Sequence, residues 1–369
     1  MTEARSGPIA FFLPTLSGGG AERVMVNLAQ GMAERGHRVD LVVAAAEGEL
    51  IGQLPVAVRL VDLGGSRVLR SLGPLIGYLR RERPRILISS MGHANVVALW
   101  AAKLARTATP VMVTVHNTMS QSTPGQGRLA GVLWPHLFRT FYPWATAVVA
   151  VSRGAADDLA RTSGLARERV RVVYNPVITP AMMALARQAP DHAWFAPRQP
   201  SVILGVGRLT RQKDFPTLIR AFAEIRRDRA ARLMILGEGE ERPRLEALVG
   251  ELGLTADVAL PGFRDNAMAY IGASGLFVLS SAWEGLPTVL IEALAVGTPV
   301  VSTDCPSGPN EILQEGRLGA LVPVGDAPAL ARAMISALDR PRCPVPREVL
   351  TPFTRDAAVD HYLRLVESA

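Results

Sequence analysis

Val202-Ile203-Leu204-Gly205-Val206-Gly207-Arg208-Leu209-Thr210-Arg211-Gln212-Lys213-Asp214-Phe215-Pro216 is the stretch on which the fold turns. Val202–Val206 reads as a buried strand, because a short apolar run ended by a glycine turn fits a sheet covered on both faces. Pro216 suits the first turn of a helix, which the spacing extends over Asp214–Arg227. Strand, polar turn and helix form the unit of a parallel sheet with crossover helices, whose ligands lie beyond the carboxyl ends of the strands. The alternation continues through the strand Arg232–Leu236, the helix Glu241–Leu252, the strands Val258–Leu260 and Leu276–Leu279, the helix Pro287–Ala295 and the strand Pro299–Ser302. This predicts an open sheet over 201–341, within a domain spanning 201–350.

The same pattern lies upstream. Strands are expected at Ile9–Leu13, Arg38–Val43, Ile86–Ser89, Val111–Val115 and Ala147–Val151, with helices at Gly20–Arg35, Leu72–Arg83, Asn95–Ala105 and Arg153–Ser163. Residues 1–178 are thus a second doubly wound domain. Pro176, Pro180, Pro190, Pro197 and Pro200 mark 179–200 as a linker between the two. A helix over Asp356–Ser368 closes the chain, in a tail of 351–369. Two such domains facing each other would enclose a cleft. The 369 residues allow two or three domains, since a domain takes roughly 100–200.

Charge is divided unevenly. Residues 1–178 carry 20 basic and 11 acidic side chains, and the remainder 20 and 22, so the net charge of +7 resides in the first half. Its densest part sets Arg67, Arg70, Arg80, Arg81, Arg83 and Arg85 among Leu69, Leu72, Leu75, Ile76, Tyr78 and Leu79. A basic amphipathic stretch suits an anionic membrane surface, and equally a solvated face in an arginine-rich chain. Nucleic acid is a poor fit, with aromatics at 5% and no recognised binding motif. No run reaches the roughly 18 apolar residues that span a bilayer. Ile9–Leu13 runs into Ser17-Gly18-Gly19-Gly20 rather than a signal-peptide cleavage site. These features predict a cytoplasmic protein, with the inner face of the plasma membrane as the surface its basic half would meet. Cys305 and Cys343 stand apart from any ligand spacing, and HExxH and Asp-x-Asp are absent. Neither a metal nor another cofactor is expected.

Several stretches carry candidate chemistry. The Gly18-Gly19-Gly20 loop follows the first strand and opens a helix, where backbone N–H groups can approach an anion; an ordinary turn reads the same way. The chain has only two lysines, so Lys213 in an Arg-rich sequence points to a need for a compact cation. With Arg208 it could hold a diphosphate, the guanidinium as a planar fork and the ammonium as a point charge. Gly285-Leu286-Pro287-Thr288 reads as a further helix start, with Glu284 before it and Glu292 within it. Carboxylates there could accept hydrogen bonds from sugar hydroxyls, or as a pair could serve hydrolysis. His116-Asn117 ends the strand Val111–Val115 as a polar pair at a ligand-facing position, and His93 is a weaker case of the same kind.

In order, these pieces resemble the GT4 family of retaining, nucleotide-sugar-dependent glycosyltransferases. The likeness rests on Gly18-Gly19-Gly20-Ala21-Glu22-Arg23, Val115-His116-Asn117, Gly207-Arg208-Leu209 with Gln212-Lys213, Glu284-Gly285-Leu286-Pro287 through Glu292, Ser302–Ile312 and Gly319–Pro323. The resemblance implies a GT-B fold, two Rossmann-like doubly wound domains facing across a cleft. It further implies that a hexose or N-acetylhexosamine moves from a nucleotide-diphosphate sugar, by family habit a UDP-sugar, to a glycan or polyprenyl-diphosphate-linked acceptor. Arg208 and Lys213 would bind the diphosphate, with Gly19, Gly20 and Gly285–Thr288 completing the anion site. Gly207 belongs to the same donor loop. Glu292 would hold the ribose, Glu284 the transferred sugar, and Gly262, Phe263 and Arg264 the base. His116 would contact the sugar or acceptor near the anomeric carbon, with catalysis assigned to His116, Arg208, Lys213 and Glu284. His93, Asn117, Arg80, Arg81 and Arg83 are the candidates for acceptor or membrane contact. A nucleotide-sugar epimerase on the same fold and a non-catalytic nucleotide-sugar-binding protein are the competing readings. UDP formation that depends on an acceptor would speak against the first.

Overall fold

The structure, a computed structural model, describes residues 7–118, 120, 128–340 and 342–369. It divides into two units, 1–176 with 352–369, and 177–351. In the first, seven parallel strands lie in the order β3-β2-β1-β4-β5-β6-β7: β1 Ile9–Leu13, β2 Val39–Val43, β3 Val58–Asp62, β4 Ile86–Ser90, β5 Val111–Val115, β6 Ala147–Ala150 and β7 Val170–Val172. In the second, β8 Val202–Val206, β9 Arg232–Leu236, β10 Val258–Gly262, β11 Leu276–Leu279, β12 Val300–Thr303 and β13 Ala320–Val322 follow the order β10-β9-β8-β11-β12-β13.

Both orders reverse direction once, between β1 and β4 in the first sheet and between β8 and β11 in the second. At such a switch point the two crossover connections leave on opposite faces, and the loops after the strands splay apart to leave a crevice. The sequence elements that fill these crevices are Gly18–Gly20 and Ser90–His93 in one unit, and Gly207–Lys213 and Ser280–Thr288 in the other.

Strand interiors are apolar on both faces because helices cover both. Phe11, Leu41, Ile88 and Met112 pack against Met25, Leu28 and Met32 of the helix Gly20–Glu34 on one face of the first sheet. That helix is itself roofed by Ala358, Val359, Tyr362 and Val366 from the helix Arg355–Glu367, so the C-terminal tail completes the first core, with Arg355 and Glu34 meeting from 321 residues apart in sequence. The stretch expected as a linker carries the helix Pro180–Leu185, and Tyr270 Oη donates to the Asp191 carbonyl (3.1 Å), so it belongs to the second unit. Strands β3, β7 and β13 and the helices Arg128–Phe141 and Ala327–Leu338 were not anticipated. The three strands are at most five residues long, lie at or toward sheet edges and include exposed positions, so they lack the continuous apolar run that marks a central strand.

The helix Leu72–Glu82 alters the membrane expectation. Its apolar face is spent inward: Leu75, Tyr78 and Leu79 are fully buried, and Tyr78 Oη donates to Asp40 Oδ2 (2.7 Å). Arg59 pairs with Asp40 and, at 2.9 Å, with Glu82, tying the same helix to the sheet. The basic stretch leaves Arg67, Arg70, Arg80, Arg81 and Arg83 on the surface with Leu69, cations with little apolar area to insert.

Candidate functional site

The second crevice is built around one ion pair. Lys213 Nζ donates to Glu284 Oε1 at 2.6 Å, with the side chains 17% and 7% exposed. At that burial each charge needs the other, and the pair costs little only because further donors complete the carboxylate. Ser281 Oγ donates to the same oxygen (2.7 Å), and Gln212 Nε2 reaches Oε2 (3.4 Å) and the Trp283 carbonyl (3.0 Å). Backbone bonds stitch the two loops together, Ala282 N to the Gln212 carbonyl (2.8 Å) and Ser280 Oγ to the Lys213 carbonyl (2.7 Å). Residues 71 apart in sequence are thus held as one unit at the switch point.

Gly207 belongs to the same construction. A Cβ there would lie 2.9 Å from Lys213 Cε and 3.1 Å from Cδ, so the glycine is the slot through which the lysine stem passes. Beside the pair, burial and then the Glu284 charge push the Cys305 thiol up to about 12, which leaves it an inert filler. Arg208, one residue from the slot, is exposed and has no carboxylate partner among the described residues. The crevice therefore presents one uncompensated cation and one lysine already neutralised by its neighbour.

Gly285, Leu286 and Pro287 are buried, and the helix starts at Thr288 with Pro287 as its N-cap residue, one position later than the sequence suggested. The segment after β12 buttresses this start: Ser307 Oγ donates to the Gly285 carbonyl (2.7 Å) and Glu284 N to the Pro306 carbonyl (3.4 Å). Glu292 lies on the second turn and is half-buried. Gly262 ends β10 and Phe263 and Arg264 follow it, two strands from β8, a separation of about 10 Å at ordinary strand spacing. Phe263 is 53% exposed.

In the first unit the glycine loop is differently occupied. Glu22, only 3% exposed, accepts from Gly19 N (2.8 Å) through one oxygen and from Thr15 Oγ1 (2.9 Å) through the other. Its carboxylate thus fills the helix start beside Gly20, which weakens the case for a second anion at that N–H group. Across the switch point, Met91 takes φ +76°, a left-handed conformation costly for a side chain of its size, between Ser90 and the helix Gly92–Ala105. His93 and Asn117 are exposed. His116 is partly buried, its Nε2 lies 3.2 Å from Thr114 Oγ1, and burial lowers its pKa to about 4. Its Nδ1 is buried with no partner among the described residues.

The structure thus brings Gly207, Lys213, Glu284 and the Gly285–Thr288 start together in one unit, and gathers Gly19, Gly20, His93, His116 and Asn117 at the carboxyl ends of the strands in the other. Arg80 is partly committed elsewhere: its guanidinium caps the helix Gly92–Ala105 through the carbonyls of Leu104 (3.1 Å) and Ala105 (3.3 Å). Ser90, Asn95 and Thr114 were not given a role from the sequence. Their signal is a hydroxyl or amide inside an otherwise apolar run, visible in Ile86-Leu87-Ile88-Ser89-Ser90 and Val111-Met112-Val113-Thr114-Val115.

Comparison with known proteins agrees with this geometry. Residues 18–179 match Glycosyltransferase Family 4, and residues 189–349 match Glycosyl transferases group 1. The chain is 30% identical over 361 residues to the lipopolysaccharide core biosynthesis glycosyltransferase LpsE of Rhizobium meliloti, covering 95% of this chain and 96% of that protein. It is 26% identical over 338 residues, 88% of this chain and 87% of the other, to a Campylobacter jejuni enzyme named as an α-1,4-N-acetyl-D-galactosaminyltransferase acting on a diphospho-undecaprenol-linked glycan. Among solved structures, Anabaena HepE in complex with UDP-glucose superposes with a TM-score of 0.80, at 20% identity over 98% of this chain and all of that one. The lipopolysaccharide outer core galactosyltransferase WaaB does so at 0.73, again at 20% identity, over 98% and 99%. Two parallel sheets of this order, a paired lysine and glutamate at the second switch point and a full-length relative at this identity lead to one conclusion: the chain is a GT-B glycosyltransferase of the GT4 family.

Proposed function

We propose that this glycosyltransferase moves a hexose or N-acetylhexosamine from a UDP-sugar to a glycan carried on a polyprenyl diphosphate, with retention of anomeric configuration and without a metal. The observation that carries the reading is the Lys213–Glu284 pair at the second switch point, with exposed Arg208, which has no carboxylate partner among the described residues, on the same loop. Arg208 and the backbone N–H groups around Thr288 attract the diphosphate. Lys213, positioned by Glu284, adds its remaining N–H donors as charge grows on the leaving phosphate. Glu284 and Glu292 supply acceptors for sugar and ribose hydroxyls, and Phe263 a face for the base. The C1–O bond to the β-phosphate breaks and the bond from the acceptor oxygen to C1 forms on the same face. The acceptor's proton passes to the departing phosphate oxygen, so no protein base is consumed. The UDP and UDP-glucose complexes of Anabaena HepE support the choice of nucleotide, and the C. jejuni relative the class of acceptor.

Melting curves with UDP, GDP, ADP and UDP-sugars in buffer containing EDTA test the donor site. The wild-type protein should be stabilised by UDP, and Lys213→Ala should lose most of that shift. An unchanged shift in Lys213→Ala would remove the diphosphate assignment.

A lipid-linked acceptor places the enzyme against a membrane. Arg80, Arg81 and Arg83 supply charge there, and apolar contact comes from Leu104 and Trp144, exposed by 53% and 46%, with Lys103 lying 5.8 Å over the Trp144 ring. Vesicles rich in anionic lipid should bind the wild-type protein and bind Arg81→Ala/Arg83→Ala/Trp144→Ala more weakly. Equal binding by the two proteins would overturn the assignment of this surface.

A further inference from the structure

Seven buried side-chain polar atoms lack a hydrogen-bond partner among the described residues, and four of them, Ser89 Oγ, Ser90 Oγ, Asn95 Oδ1 and His116 Nδ1, lie at or beside the carboxyl ends of β4 and β5. The other three are Nε atoms of arginines whose terminal nitrogens are in ion pairs, Arg226 and Arg232 with Asp257 and Arg355 with Glu34. A buried polar atom left unmade costs about 1–3 kcal/mol; Ser89 and Ser90 are adjacent on β4 and point to opposite faces, so it is the group Ser90, Asn95 and His116 at the strand ends that marks a place a ligand completes. All four belong to neutral side chains, which suits hydroxyl groups better than a phosphate. Ser90 is the register partner of Thr114, and His116, two residues beyond Thr114, directly follows the end of β5.

We infer that Thr114 is a positioning residue that holds neutral His116 as the Nε2–H tautomer, so that Nδ1 stands as a bare acceptor for a hydroxyl of the sugar substrate. The hydroxyl of Thr114 has a single hydrogen. It is given to the Ser89 carbonyl at 2.9 Å, which can only accept. At the 3.2 Å contact with His116 Nε2 the Thr114 oxygen is therefore the acceptor, and the imidazole hydrogen is on Nε2. A neutral ring carries one such hydrogen, which leaves Nδ1 with a lone pair. Desolvation keeps the ring neutral at physiological pH. The end of β5 is fixed in turn by Asn95, whose Nδ2 donates to the Thr114 carbonyl (2.9 Å) and to Tyr142 Oη (3.1 Å). The identity of the hydroxyl as a sugar's rests on the glycosyl-transfer reading above; the tautomer does not.

The test is the side-chain 15N spectrum of histidine-labelled protein, comparing wild type, Thr114→Val, Thr114→Ser and His116→Gln, the last to assign the resonances. The wild type should show His116 as Nε2–H with a pyridine-type Nδ1. Thr114→Val should populate the other tautomer, and Thr114→Ser should restore the first. A wild-type Nδ1–H tautomer, or no response to Thr114→Val, would overturn the inference, and Thr114→Ser keeps it testable should the valine variant misfold. Adding UDP-glucose or methyl α-D-glucopyranoside should then move the Nδ1 resonance in the direction of an accepted hydrogen bond, whereas UDP alone should not. Response to the nucleotide sugar alone assigns the hydroxyl to the donor, and response to the free glycoside assigns it to the acceptor side. Response to neither, in protein that UDP still stabilises, sinks the hydroxyl assignment while leaving the donor site intact.

Discussion

His116 shows how one side chain links burial to pH. Its folded-state pKa of about 4 lies below the 6.5 of a free imidazole, through desolvation. As pH falls, the unfolded chain takes up the proton first, so the stability associated with the neutral ring is complete above about pH 6.5 and is lost progressively toward pH 4. The difference is worth about 3 kcal/mol at the acid end. Urea midpoints at pH 7 and pH 4.5 should therefore differ less in His116→Gln than in the wild type, and equal acid sensitivity would show that the ring is not buried as described. At the same scale, Lys213 was legible because lysine is scarce in this chain, whereas its partner was not. Glu284 drew a sugar-binding role from the resemblance, and only its position 2.6 Å from Lys213 shows that it also neutralises and orients the lysine. Spacing of 71 residues carries no such information.

Among the elements, central strands were readable and edges were not, for one reason. β1, β4 and β5 are buried on every residue and appear as apolar runs, interrupted only by Ser89, Ser90 and Thr114, while β3 carries exposed Arg59 and Asp62 and merges with its flanking loops. The loops that make the site were placed correctly at strand ends, yet their mutual bonding was invisible. The loop after β8 is held by the one after β9: Gly207 N donates to the Leu236 carbonyl (3.0 Å) and Leu209 N to the Glu238 carbonyl (2.8 Å). That approach depends on Gly237, which has φ +134° and whose Cβ, if present, would sit 2.0 Å from the Gly207 carbonyl oxygen. Gly237→Ala must displace the donor loop or strain the backbone, at a cost of about 3 kcal/mol. Its expected signature is a lowered melting point of the second unit together with loss of UDP stabilisation. A variant that kept both would mean the two loops are less tightly coupled than their hydrogen bonds suggest.

Over the whole molecule, the chain's end returns to its beginning. Helix Arg355–Glu367 lies on the helix Gly20–Glu34, where Gly31 leaves room for Val359 at a position a Cβ would crowd to 2.6 Å. Arg355 Nη2 pairs with Glu34 (2.6 Å), and Arg35 pairs with Asp360. Burial of Ala358, Val359, Tyr362 and Val366 makes the tail part of the first core, although a helix of ordinary amphipathic sequence at a chain end announces no address. Removing 352–369 should expose the outer face of Gly20–Glu34 and cost the first unit on the order of 5 kcal/mol in apolar burial. The second unit contains none of those residues, so its response to UDP should persist in the truncated protein. Calorimetry with and without UDP separates the two effects: an early transition insensitive to nucleotide, and a later one that UDP still raises. Gly31→Leu, which keeps the chain full length but fills the groove under Val359, should reproduce the early transition. A truncated protein that melts like the wild type would mean the tail only rests on the first unit rather than completing it.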